Sequence, residues 1–246
     1  MWTYESEKKG DDVIMVYQGT FVDIKVKKKQ SNLEYSGLQL STWTHHFVID
    51  EYVASFVKET IQVPVKTEVK LPIDFFINIK KLRLPKNSIA VFAYENSRTY
   101  HEIYNFADYE YSNGHHKQAG RLIFDFYNDL NGLLYKKNFF LITKRKRNNG
   151  INQTKSINNL FNNLKQQSNC LVLDPTFINA IEIIDSCCGC IAMPVTSPAI
   201  YAKLRKIPSI FYDPYNWIEK NDRSLSGVPV YNLKEAEYWL DTLEKK

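Results

Sequence analysis

Four consecutive cations, Lys144-Arg-Lys-Arg147, close one apolar run, and Pro194-Val-Thr-Ser197 closes another just before Pro198. Ammonium and guanidinium groups hold phosphoryl oxygens through charge-assisted hydrogen bonds, and a diphosphate between such groups is neutralised without a metal. Thr196 and Ser197 stand where a strand hands over to a helix, the point at which unpaired N–H groups and the positive end of the helix dipole meet. Hydroxyls there either cap the helix or meet an anion.

The other reactive side chains say less. Cys170, Cys187, Cys188 and Cys190 include one C-x-x-C, but a zinc ribbon needs a second such pair, and these thiols read as small apolar residues leading into a buried strand. His45-His46, His101 and His115-His116 lack the spacing of metal ligands on a helix, so no metal is expected. There is no G-x-x-x-x-G-K and no G-x-G-x-x-G, which argues against kinase-like and NAD-dependent chemistry. Asp50, Glu95 and Glu182 are candidates for a base, each equally readable as a solvated or capping carboxylate.

The elements that must position these groups follow from periodicity. Val13–Tyr17 and Phe21–Val26 read as strands joined by a turn at Gln18-Gly-Thr20; His46–Ile49 is a further strand, with Asp50 capping a helix over 51–61 and a strand at 67–71. From residue 88 the pattern changes. Continuous apolar runs at 88–94, 138–143, 170–174, 190–193 and 209–212 alternate with amphipathic helices over 117–136, 154–167, 176–186, 198–206 and 234–245. Fully apolar strands between helices mean a parallel sheet covered on both faces, a doubly wound α/β domain whose ligands sit outside the carboxyl ends of the strands. We therefore divide the chain into a smaller mixed α/β portion, 1–84, and a Rossmann-like domain, 85–246.

Composition fits that plan. In 246 residues, 44% are hydrophobic and 24% charged, with 9 Gly and 9 Pro, which excludes collagen-like and low-complexity chains. No apolar stretch is long enough to span a membrane or to form a signal peptide, so the expectation is a soluble, cytoplasmic protein. The net charge of +5 is concentrated at Lys25–Lys29 and Lys144–Arg147.

The segment Ile191-Ala-Met-Pro-Val-Thr-Ser-Pro-Ala-Ile200, followed by Lys206-Ile-Pro-Ser-Ile-Phe-Tyr-Asp-Pro214, resembles the polysaccharide biosynthesis proteins named for a Pro-Phe-Thr-Ser motif, with Val195 in place of the Phe. Phe140–Arg147 is similar to that family's strand ending in Lys-x-Lys-Arg, and the likeness is concentrated over residues 85–240. The resemblance implies a glycosyltransferase-like protein of the two-Rossmann-domain (GT-B) type, acting in capsule or surface polysaccharide synthesis. It implies that Lys144, Lys146, Arg147, Thr196 and Ser197 bind the phosphate of a nucleotide-sugar donor, with Pro194, Tyr212 and Asp213 near the sugar or ribose. Donor and glycan acceptor are then the partners, without cofactor or metal. Met1–Glu5 and Trp43–Phe56 are similar to segments internal to such proteins, which reads as a chain lacking most of the amino-terminal domain and exposing an apolar face open to self-association.

Two further readings belong to other classes. One is a non-catalytic module that binds a nucleotide sugar or another anionic ligand, separated from the enzyme by turnover. The other is a nucleic-acid-binding protein, for which the sequence holds no recognisable motif.

Overall fold

The computed structural model describes residues 5–6, 8–10, 13–17, 41–70, 79–93, 116–146, 155–194, 196–216, 218, 220 and 225–243. The expected strand at 21–26, the turn at 18–20, Glu95 and Arg147 lie outside them. Among the described residues the strands form two parallel sheets.

The smaller sheet has the order β1-β2-β3, with β1 Ile14–Val16, β2 His45–Val48 and β3 Lys66–Val69. Helix α1, Glu51–Thr60, connects β2 to β3. Asp50 starts it, as a short acceptor should: its backbone is extended and its carboxylate accepts from the Val53 N–H at 2.8 Å. The apolar residues of α1 recur every three to four positions, so Val53, Ala54 and Val57 are buried together against the sheet.

The larger sheet consists of β4 Ser88–Phe92, β5 Phe140–Lys144, β6 Cys170–Leu173, β7 Gly189–Ala192, β8 Ser209–Tyr212 and β9 Val230–Tyr231. Its order is β6-β5-β4-β7-β8-β9 with every pair parallel. Helices α2 His116–Lys136, α3 Lys155–Lys165, α4 Ala180–Asp185, α5 Pro198–Leu204 and α6 Leu233–Leu243 follow the strands in turn. Written by position along the chain this is 3-2-1-4-5-6, the doubly wound order with its reversal between β4 and β7.

The period of two along each strand divides the core. Ala90, Phe92, Cys190, Ala192 and Phe211 face one apolar cluster with α4 and α5 residues such as Ile183 and Ile200. Ile89, Val91, Ile191, Ile210 and Tyr212 face another, with the helical rows of α2, α3 and α6. The helically spaced apolar residues Leu122, Ile123, Phe126, Leu130, Leu133 and Leu134 of α2 are all buried there. Gly189 has a packing reason: a Cβ would stand 2.9 Å from Cη2 of Trp239 on α6, closer than side chains approach.

The first cluster also contains Val48, Ile49, Val53 and Val57, so the smaller sheet and α1 share a core with the larger sheet. Two long-range bonds reinforce the junction: Leu82 N–H donates to Ser186 Oγ at 2.8 Å, and Ser226 Oγ donates to Asp50 Oδ2.

Two expectations about elements are corrected. The helix expected at 176–186 begins at Ala180, because Asp174 accepts from Thr176 N–H to form a tight turn and Asn179 caps the helix. The connector after β8 contains β9, two residues too few for a periodic signal. Among the described residues no helix is long and apolar enough to cross a membrane.

Candidate functional site

At the reversal of strand order β4 and β7 lie side by side while the helices after them, α2 and α5, pack on opposite faces, the arrangement that leaves a crevice at the carboxyl edge of a doubly wound sheet. The residues beside it come from three strands. β4 ends at Phe92 and the half-buried Ala93; β7 ends at Ala192 and continues through buried Met193 and Pro194 to half-buried Thr196 and Ser197. β5 ends on the other side of β4 with half-buried Lys144 and exposed Lys146. With neighbouring strands about 4.8 Å apart, the ends of β5 and β7 are separated by roughly 10 Å across β4. The topology thus brings Lys144, Lys146, Pro194, Thr196 and Ser197 to one edge.

Local chemistry fixes each position. Thr196 Oγ1 donates to the Met193 carbonyl at 2.6 Å and its N–H to the same oxygen at 3.3 Å, closing the turn that leads β7 into α5. Ser197 is the residue before α5, has helical backbone angles and makes no side-chain capping bond; its hydroxyl bonds to the Tyr201 hydroxyl one turn later. Burial pushes Tyr201 up to about 12, so it stays a neutral phenol. Arg145, between the two lysines, turns away from the edge: it donates to Asn158 Oδ1 at 2.8 Å and lies over the Phe161 ring on α3.

Four expected site residues have partners within the protein. Tyr212 is almost fully buried: strand alternation sends its ring into the α2 face of the core, where its O–H donates to Asp129 at 2.6 Å. Burial and then that carboxylate push its hydroxyl far above the ordinary tyrosine range. Asp213 is 4% exposed and its carboxylate accepts from the backbone N–H groups of Tyr215 and Ile218 at 3.1 and 2.8 Å, shaping the loop after β8 rather than facing solvent. Glu182 accepts from Asn179 N–H at 2.9 Å in a capping box, and Asp50 caps α1 while holding Ser226.

Sequence reasoning missed the partners of that loop. Asp125 and Asp129, one turn apart on α2, receive the hydroxyls of Tyr215 and Tyr212, so two aromatic side chains tie the end of β8 to the helix that follows β4. The spacing of the two acids on an otherwise apolar helix face was a readable signal.

The four thiols are free. Burial raises Cys170 to about 11 and Cys187 to about 12 and pushes Cys190 well above the usual thiol range, which suits small apolar side chains and not nucleophiles. Among the described residues, no group of three or more His, Cys, Asp or Glu is placed to hold a metal ion.

A doubly wound parallel sheet with cations and hydroxyls at the strand ends on either side of its switch point defines the class: an α/β protein of the Rossmann-like kind. The chain belongs to the polysaccharide biosynthesis PFTS motif protein family, whose sequence profile matches residues 1–240. The likeness legible mainly over residues 85–240 therefore runs through the smaller sheet as well. No curated protein matches the sequence. Among solved structures the chain is similar to the crystal structure of TarM, at 11% identity and a TM-score of 0.43, over 96% of this chain and 43% of that one. The chain thus spans less than half the length of that structure.

Proposed function

We propose that the carboxyl edge of the larger sheet binds the phosphate of a nucleotide-activated sugar and that the protein is a GT-B-type glycosyltransferase acting in the building of a capsule or surface polysaccharide. The observation that carries this reading is the placement of Lys144 and Lys146 at the end of β5 and Thr196 and Ser197 at the end of β7, on either side of the switch point. As the bond to the anomeric carbon breaks, negative charge grows on the leaving phosphate; Lys144, Lys146 and Arg147 stabilise that charge and no metal is required. Residues 85–246 form the donor-binding domain and 1–84 the smaller portion beside it, acting in the cytoplasm on a glycan acceptor.

The test is a thermal-shift screen of the full chain against CMP, UDP, GDP and their sugars. One nucleotide at a hundredfold excess over its Kd should add about 2.7 kcal/mol to stability. Lys144→Ala/Lys146→Ala should lose most of that gain. No stabilisation by any nucleotide overturns the reading.

A second reading, a binding module without turnover, is favoured by one observation. Asp50 and Glu182, two of the three candidate bases, have their carboxylates committed to helix caps. Nucleotide binding with no transfer or hydrolysis of any nucleotide sugar would select it.

A further inference from the structure

β3 is Lys66-Thr-Glu-Val69, followed by Lys70, so the strand period sets Lys66, Glu68 and Lys70 on one face. Register places His45 opposite Lys66 and Phe47 opposite Glu68. Three basic side chains converge on one carboxylate: Glu68 Oε1 lies 2.9 Å from His45 Nε2 and 2.7 Å from Lys66 Nζ, and Oε2 lies 3.1 Å from Lys70 Nζ. The lysine hydrogen bonds, Lys66 first, and then that of His45 hold Glu68 down at about 2, so its charge is constant at any ordinary pH. Lys70 also lies over the Phe47 ring at 4.1 Å, and His45 meets the same ring edge-on.

Ion pairs this exposed add little to stability, but the cluster leaves a surplus of positive charge. That surplus borders a depression of about 570 Å³ lined by Thr44, His45, Pro64, Val65 and Lys66. The lining combines a hydroxyl, an imidazole and an ammonium with the apolar surface of Pro64 and Val65, and its volume is in the range of small-ligand sites. Thr44, His45 and Lys66 stand at the amino ends of β2 and β3, whereas the proposed phosphate site is at the carboxyl edge of the larger sheet.

We propose that this depression is a binding site for an acidic saccharide. Lys66 takes the anionic substituent, Thr44 and His45 meet neighbouring hydroxyls, and Pro64 and Val65 carry the apolar face of the ring. The saccharide part rests on the family's role in polysaccharide synthesis; the anionic part stands on the cluster itself.

The anionic group is a uronate carboxylate or a sugar phosphate, and calorimetry on the full chain with trigalacturonate, glucose 1-phosphate and neutral maltotriose separates the sources. At least one anionic probe should bind about tenfold or more tightly than maltotriose, and Lys66→Ala and His45→Ala should each weaken it about tenfold. Lys66 is two-thirds exposed, so its replacement leaves the fold intact. Lys144→Ala should leave this binding unchanged, which separates the site from nucleotide binding: loss of nucleotide binding alone does not touch it. The proposal is overturned if neither anionic probe binds, if maltotriose binds equally well, or if the affinity is unaltered in Lys66→Ala and His45→Ala.

Discussion

The two parallel sheets are built on opposite economies of burial. Every residue of β4 and of β7 is buried, whereas no residue of β1 or β3 is. Covering both faces with helices forces near-continuous apolar strands; the smaller sheet has α1 on one face and can place Lys66, Glu68 and Lys70 on another. The larger sheet is therefore where stability is concentrated. The smaller sheet is where charged groups are displayed, and it depends on the shared cluster around Val48 and Val57 for its attachment.

Truncating one apolar side chain in each sheet gives the largest contrast. Ile142→Ala, at a fully buried position of β5, should cost about 2–5 kcal/mol in chemical denaturation, while Val69→Ala, 43% exposed on β3, should stay within about 0.5 kcal/mol. Equal costs would break the comparison. Asp50→Ala comes next: it removes the α1 cap and the bond from Ser226, for about 1–2 kcal/mol. Asp50→Asn keeps an acceptor for Val53 N–H and should recover most of that loss, measured by the same denaturation.

Acid should produce the smallest effect and the most local one. Burial lowers His46 below its ordinary 6.5, with its Nε2–H donating to the Trp43 carbonyl and the Tyr17 ring tilted against it. An imidazole held neutral when folded takes up its proton more readily unfolded, so stability present above pH 6.5 declines as pH falls below that value. Glu68 acts lower: its contribution is present above its ordinary 4.5 and is lost as pH falls toward about 2. Protection factors from hydrogen exchange, corrected for the intrinsic exchange rate at each pH, should therefore fall in β2 before β4 or β7 between pH 7 and 5. A uniform fall would show that the two sheets open as one unit.

Much of this division was legible in the sequence because periodicity and burial are the same fact seen twice. The apolar positions of α2, the strand at 209–212 and the cap at Asp50 follow from spacing alone. For the candidate site, the strand ends themselves were legible. The partners of Tyr212 and Asp213 were not, because standing at a strand end does not decide where a side chain points: alternation turned Tyr212 toward Asp129, and two backbone N–H groups claimed Asp213. Glu182 was drawn into a cap by Asn179, three residues before it, a contest that composition does not rank. The cluster at His45 and Glu68 joins residues far apart in sequence, and only strand register makes them neighbours.

Cys190 lies in the middle of the larger sheet, fully enclosed, on a strand that pairs with both β4 and β8. An alkylating reagent reaches that sulfur only when the sheet parts, so the protein carries its own clock. The half-life of the last thiol to be labelled counts how often the central strands separate, with exposed Cys188 labelled early as the reference.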